Sequence, residues 1–275
     1  EYVWTGFDYL GEPTPFNSDN TNLLNFRTDP SKRAELEKQL AELARTQPPS
    51  RSSYFGIVDL AGFPKDRYYL YQSHWRSDFP MAHILPHWNW AGREGQIIPV
   101  HVYTSGTEAE LFVNGKSYGR KAKEEGKDFR LVWDSVVYQP GSVKVITYKD
   151  GKEWAEDEIQ TTGEAQKIQL SVDHASIIGS EDELAFVTAT IVDASGRKVS
   201  TACLPLKVEV TGCGELVATD NGDPTSFTPF QSAERESFNG LALAIVRGKK
   251  GTTGKMQVQV SGAGLESDSI EIEVK

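Results

Sequence analysis

From residue 77 onward the chain is a succession of short alternating runs broken by turns, a pattern that suits stacked antiparallel sheets. "EAELFVNGKSYG" sets Asn114-Gly115 between two such runs, and "SVKVITYKDGKEWAEDEIQT" does the same with Asp150-Gly151. These dipeptides tolerate the positive φ angles that a two-residue hairpin turn requires. "QIIPVHVYTSG" and "DFRLVWDSVVYQPG" are further strand candidates. From about 167 seven more runs follow: "KIQLSVD", "LAFVTATIVD", "LKVEVTG", "GELVATD", "LALAIVRG", "KMQVQVSG" and "SIEIEVK". Asp193-Ala194-Ser195-Gly196 joins two of them as a turn, and "TTGEAQ" at 161–166 reads as a linker. Regularly spaced strands without intervening helices predict β-sandwiches, and both modules are expected to be immunoglobulin-like.

The first 76 residues have another texture. "EYVWTGFDYLGEPTP" is strand-like and aromatic from its start, with Asp8 and Glu12 just beyond. "TDPSKRAELEKQLAELARTQPP" predicts a helix. Thr28 or Asp29 caps it, Pro30 takes the first position, Leu36, Leu40 and Leu43 form a stripe, and Pro48-Pro49 stops it. "YFGIVDLAGFPKD" reads as a short buried strand and turn. "KDRYYLYQSHW" reads as an amphipathic helix with Tyr68, Tyr71 and Trp75 on one face. The expected fold is mainly β: two immunoglobulin-like β-sandwich domains, at 77–163 and 164–275, preceded by an α/β segment at 1–76.

Composition removes some functions. A net charge of −10 and a pI near 5.1 argue against a nucleic-acid partner. No apolar run approaches the roughly 18 residues of a membrane span. Cys203 and Cys213 flank the strand-like "LPLKVEV". At roughly 3.3 Å per residue their Cα atoms lie on the order of 30 Å apart, whereas a disulfide needs about 4.4–6.8 Å, so two free, mostly buried thiols are expected. His74, His83, His87 and His101 follow no metal-ligand spacing, and "HILPH" lacks a third ligand, so no metal is assigned. "DNGDP" at 220–224 fits an Asx turn better than a Ca²⁺ loop. "HWNWAG" at 87–92 suits a core or interface better than a sugar platform. "KEEGKD" at 123–128 reads as a solvated hairpin tip. No phosphate-binding glycine loop, Ser-His-Asp set or thiol-nucleophile motif stands out, and no cofactor is expected.

The stretches "VWTGFDYLGEPTP" and "SYFGIVDLAGFPKDRYYLYQSHW", followed by "GELVATDNGDPTSF…ERESFNGLALAIV", resemble the end of glycoside hydrolase family 2 proteins of the β-galactosidase-like branch. The resemblance implies that Tyr2 to Phe7 is the eighth strand of a (β/α)8 barrel and that Lys65 to Trp75 belongs to its last helix. Such a barrel needs about 250 residues. With only the first 76 residues barrel-like, the expectation is the C-terminal part of a larger retaining exo-glycosidase acting on β-galactosides. The family's two catalytic glutamates come from the fourth and seventh strands, which would lie before Glu1, and no Asn-Glu pair occurs here, so no catalytic residue is assigned within the chain. The resemblance carries over Trp4 as the floor of the sugar subsite, with a core aromatic as the alternative. Asp8 either accepts sugar hydroxyls or holds the loop, and Glu12 orders the loop. β-Glucuronidases carry an Asn-x-Lys pair where this chain has "SSYFGIV", which favours a neutral sugar. The resemblance also implies a periplasmic or secreted protein, and a homo-oligomer is a further expectation. The competing reading is a stand-alone carbohydrate-binding or adhesion protein built of immunoglobulin-like modules.

Overall fold

The computed structural model describes residues 3–11, 51–124, 126–180 and 182–275. The helix expected within 28–49 and the residue Glu12 lie outside the described residues. The elements are α1 (Asp66–Trp75), β1 (Ala82–Leu85), β2 (Val100–Thr104), β3 (Glu108–Val113), β4 (Lys116–Ala122), β5 (Leu131–Trp133), β6 (Ser142–Lys149) and β7 (Lys152–Gln160). After these come β8 (Lys167–Val172), β9 (Ser176–Ile177), β10 (Leu184–Val192), β11 (Pro205–Gly212), β12 (Gly214–Asp220), β13 (Glu234–Glu236), β14 (Leu241–Gly248), β15 (Gly254–Gly262) and β16 (Asp268–Val274). The molecule is mainly β, with sheet-rich sandwiches. No described helix is long and apolar enough to cross a membrane.

The first sandwich stacks the sheet β1-β2-β5 on the sheet β4-β3-β6-β7. Val100, Val102, Leu131 and Trp133 of one share a core with Ala109, Leu111, Val143 and Val145 of the other. Strict alternation puts them there: β3 and β6 bury every second residue, as a strand with one face in a core must. The hairpin turns fall where the dipeptides predict, with φ of 49° and 77° at Asn114-Gly115 and 53° and 74° at Asp150-Gly151. Trp88 of "HWNWAG" is a core residue, 1% exposed, edge-on to Tyr138 at 5.1 Å, and its Nε1 donates to the Gln139 carbonyl at 3.0 Å.

The second sandwich pairs β12-β14-β10-β8 with β13-β11-β15-β16-β9, all antiparallel except β9 beside β16. Val187, Ile191 and Val246 meet Val208, Met256, Val258 and Ile272 across it. All seven runs expected there are strands. The short β1, β9 and β13 escaped the sequence reading because two to four residues carry no periodicity.

Several expectations change. Cys203 and Cys213 are free, but Cys203 is exposed and Cys213 half-buried, because they sit in the connections flanking β11 rather than on its inward face. "KEEGKD" joins β4 to β5, which belong to different sheets, so it is an inter-sheet connection and not a hairpin tip. Residues 161–166 have no regular structure yet are pinned. Thr161 Oγ1 donates to the Trp88 carbonyl (2.6 Å), Thr162 N to Asn89 Oδ1 (2.8 Å) and Gly163 N to Asp193 Oδ2 (2.9 Å).

The aromatic stripe of α1 is not a buried face either. Ser73 is its buried residue, and Trp75, leaning on Tyr71 at 4.8 Å, is 53% exposed. Tyr69 instead stacks on His83 of β1 at 4.0 Å. A tyrosine-rich helix can lie at a rim, with rings packed and hydroxyls wet. The expected first strand is reduced to isolated bridges: Phe7 lies parallel to Val58, and Leu10 antiparallel to Ser52.

Candidate functional site

Around Asp8 the first residues are fastened to 51–65. Asp8 N donates to the Val58 carbonyl at 2.9 Å, Ser53 N to the Tyr9 carbonyl at 2.8 Å, and Gly11 N to the Arg51 carbonyl at 3.1 Å. The Asp8 side chain is 3% exposed, and Lys65 Nζ sits 2.9 Å from Oδ1 and 2.7 Å from Oδ2. Gly56 N also donates to Oδ1 at 2.8 Å. Gly56 is required at that approach, since a Cβ there would lie 2.2 Å from Asp8 N. A buried carboxylate needs such compensation. Of the two roles expected for Asp8, holding the loop is therefore the one its contacts serve. Lys65, read from sequence only as a helix start, is its partner and stands at the N-cap position of α1, its side chain turned to Asp8 rather than to the helix N–H groups.

Trp4 is the opposite case. It is 77% exposed, and its Nε1 donates to the Tyr9 hydroxyl at 3.2 Å. Within this chain its flat ring is presented to solvent, on a segment tied down on its C-terminal side. Phe7 and Leu10 are exposed beside it in sequence, at 58% and 51%.

A second element reaches this region from the other sandwich. The 220–230 loop is a chain of Asx turns: Asp220 Oδ1 accepts from Asn221 N (2.8 Å), Asn221 Oδ1 from Asp223 N (3.0 Å), and Asp223 Oδ1 from Thr225 N (2.8 Å). These internal bonds occupy Oδ1 of each of Asp220, Asn221 and Asp223. The loop docks on Arg51, whose N donates to the Pro224 carbonyl (2.9 Å), whose Nη1 donates to the Thr228 carbonyl (3.3 Å), and whose guanidinium lies 4.4 Å from the centre of the Phe230 ring. Burial, with Asp223 and Asp8 nearby, pushes the Tyr54 hydroxyl up to about 12. Nothing in the sequence flagged this docking, because it joins residues more than 170 positions apart and uses ordinary turn chemistry.

Asp59 lies at the same junction. Its Oδ1 accepts from Phe63 N at 2.9 Å, and Gly222, at φ 75°, packs so close that a Cβ would lie 2.0 Å from Oδ2. Burial first, and then the Asp220 and Asp8 charges, raise the Asp59 carboxyl to about 6 against the pull of two backbone N–H groups. The folded state thus holds this proton more tightly than the unfolded chain. Stability from this group is present below about pH 4 and is lost as pH rises through about 6, on the order of 2 kcal/mol. Asp59→Asn keeps the Oδ1 acceptor and should remove that loss. Urea titrations of both proteins across pH 4 to 7 check it, and an unchanged slope in the variant would refute the assignment.

The histidines stay apart in their roles. His83 Nε2 pairs with Asp66 (2.9 Å), His74 Nε2 faces the Phe129 carbonyl (3.1 Å), and His87 Nδ1 accepts from Asn89 N (3.1 Å).

With this geometry in hand, known proteins give it a context. Residues 168–271 match the model of glycoside hydrolase family 2 C-terminal domain 5, and 95–155 match a domain of unknown function, DUF4982. The chain is 38% identical over 273 residues to the β-galactosidase BoGH2A of Bacteroides ovatus, covering 99% of this chain and 28% of that protein. It is 30% identical over 251 residues to a putative β-glucuronidase of Formosa agariphila, covering 90% of this chain and 21% of that one. Among solved structures, a glycosyl hydrolase family 2 member from Bacteroides cellulosilyticus superposes with a TM-score of 0.82 at 26% identity, over 99% of this chain and 35% of the other. A β-glycosidase from Bacteroides vulgatus gives 0.77 at 35% identity, over 82% and 29%. The chain spans less than a third of the length of the curated relatives named here.

Proposed function

The chain corresponds to the C-terminal part of a glycoside hydrolase family 2 protein, and from that premise we propose that it is the non-catalytic end of a retaining exo-glycosidase that removes terminal β-galactosides. Residues 1–76 complete the catalytic barrel, and the modules at 77–163 and 164–275 brace it. The two glutamates that such chemistry needs, about 5–5.5 Å apart, are supplied from outside this sequence. The exposed Trp4 carries the reading. Its indole face stacks on the apolar face of the bound pyranose, its Nε1 bond to Tyr9 sets the ring's tilt, and the Asp8–Lys65 pair holds the segment that bears it. Asp8 is then a positioning residue. A neutral sugar is preferred to a uronic acid because "SSYFGIV" offers no Asn-x-Lys pair for a carboxylate. Such an enzyme works in the periplasm or outside the cell.

The test is a panel of aryl glycosides presented to the full-length parent protein. The β-galactoside should turn over fastest, and a faster β-glucuronide would overturn the sugar assignment. Trp4→Ala should lower kcat/KM by about tenfold to a hundredfold, roughly 1.4–2.7 kcal/mol of transition-state stabilisation. Its exposure predicts a change in folding stability within about 0.5 kcal/mol. An unchanged kcat/KM would remove Trp4 from the site.

A further inference from the structure

Where the N-terminal segment meets both sandwiches, two cavities of about 530 and 470 Å³ lie side by side along the shared residues His87, Ile159, Lys198 and Ser200, and together they make up one grooved surface. Its inner end reaches Asp8, Tyr54 and Asp59, and its outer end reaches Asn89, Gln160 and Arg197. Phe63, Ile159 and Phe238, all half-buried, give it apolar walls.

Several polar groups on those walls have no partner among the described residues and face the groove's solvent. Among the described residues, the Lys198 ammonium, the Ser200 hydroxyl and the Asn239 amide have no hydrogen-bond or ion-pair partner. Lys198 has much exposed area, yet the groove walls remove enough water from its ammonium to lower its pKa, with Asp66 acting the other way. Burial likewise lowers the pKa of His87. In its neutral form, with Nδ1 accepting from Asn89 N, the proton is on Nε2, a donor with no partner among the described residues. Asp66 gives Oδ1 to His83, and Oδ2 remains as an acceptor on the same wall. Apolar walls with a few convergent polar groups are the composition of a small-molecule site.

We propose that this groove binds a neutral oligosaccharide, with Phe63 and Phe238 against sugar faces and Lys198, Ser200, Asn239, His87 and Asp66 on its hydroxyls. An anionic chain is disfavoured, because Asp59, Asp66 and Glu158 line the groove alongside Lys198 and Arg197. Hydroxyls, which both donate and accept, match such a mixed lining. The ligand class rests on the glycosidase reading; the groove itself does not. The groove is a second contact for the sugar chain, in addition to the Trp4 platform.

The experiment titrates this chain with galactose and with a β-linked galactotetraose, following the ring signals of His87, the side-chain signals of Lys198 and the indole N–H of Trp4 by NMR. The tetraose should shift His87 and Lys198 saturably with a millimolar Kd, and Lys198→Met, which keeps the alkyl stem, should weaken that Kd by about fivefold or more. Asn239→Gly, suited to the φ of 52° there, should also weaken it, which guards against a folding defect in the first variant. No saturable shift at His87 and Lys198 up to about 50 mM tetraose, a Kd well above the millimolar range, would leave only an interdomain crevice and overturn the proposal. So would a Kd unchanged in both variants. Shifts at Trp4 alone overturn the groove and leave the glycosidase reading standing. A parent protein inert on every glycoside, with the groove shifts intact, overturns the glycosidase reading instead.

Discussion

Trp88→Ala is expected to destabilise the first sandwich by about 3–5 kcal/mol, the cost of removing a large buried aromatic. Trp88 is 1% exposed, so truncation leaves a cavity between the β1-β2-β5 sheet and the β4-β3-β6-β7 sheet. It also strips the Gln139 carbonyl of its Nε1 donor and Tyr138 of its edge-on ring partner. The consequence should spread, because the Trp88 carbonyl receives Thr161 Oγ1 and the neighbouring Asn89 Oδ1 receives Thr162 N. These bonds tie residues 161 and 162 to the first sandwich. Urea denaturation should show the loss, with amide exchange at Thr161 and Thr162 rising well above that in the parent. Trp75→Ala, on the exposed end of α1, is the control and should change stability by no more than about 0.5 kcal/mol. Similar effects from both tryptophans would contradict the core assignment.

Arg235→Met should cost about 3 kcal/mol or more, because it empties a buried hydrogen-bonding hub. Arg235 is 3% exposed, and its guanidinium spends every arm inside the protein. Nε donates to Thr219 Oγ1 (3.1 Å), Nη2 to the carbonyls of Thr219 (2.8 Å) and Pro229 (2.9 Å), and Nη1 to the Thr228 carbonyl (3.2 Å) and Ser226 Oγ (3.3 Å). Methionine fills much of the volume and makes none of these bonds. Lysine should not rescue, since a compact ammonium cannot replace a planar fork. Local loosening of 219–230 should follow, and with it the seat of Arg51 on Phe230 and Pro224. Amide exchange should therefore rise at Arg51 as well as in the loop. Protection at Arg51 unchanged in the Arg235→Met protein would show that the loop does not hold the N-terminal segment.

The parts of the fold that could be read from the sequence are those set by local rules. Alternation placed β3, β6 and the seven long runs of the second sandwich, and two turn dipeptides fixed the hairpins. Proline and lysine ahead of "DRYYLYQSHW" marked the start of α1. Its exposed side was misjudged, because spacing shows that Tyr68, Tyr71 and Trp75 share a face but not whether that face meets a core. Cys203, expected to be mostly buried, is exposed because it lies in a connection, where no strand alternation turns it inward. The candidate site was legible only by resemblance. Trp4 and Asp8 were singled out that way, but the Lys65 partner of Asp8 and the docking of the 220–230 loop depend on tertiary proximity. The groove is beyond any single segment, since its walls come from three parts of the chain.

The most direct measurement compares hydrolysis of an aryl β-galactoside by this chain and by the full-length parent at equal molar concentration. Turnover by the parent and none above the uncatalysed rate by the chain is the pair of results the proposed function predicts, since that proposal takes the reacting carboxylates from outside this sequence. A rate from the chain within about tenfold of the parent's, a barrier difference of only about 1.4 kcal/mol, would contradict it.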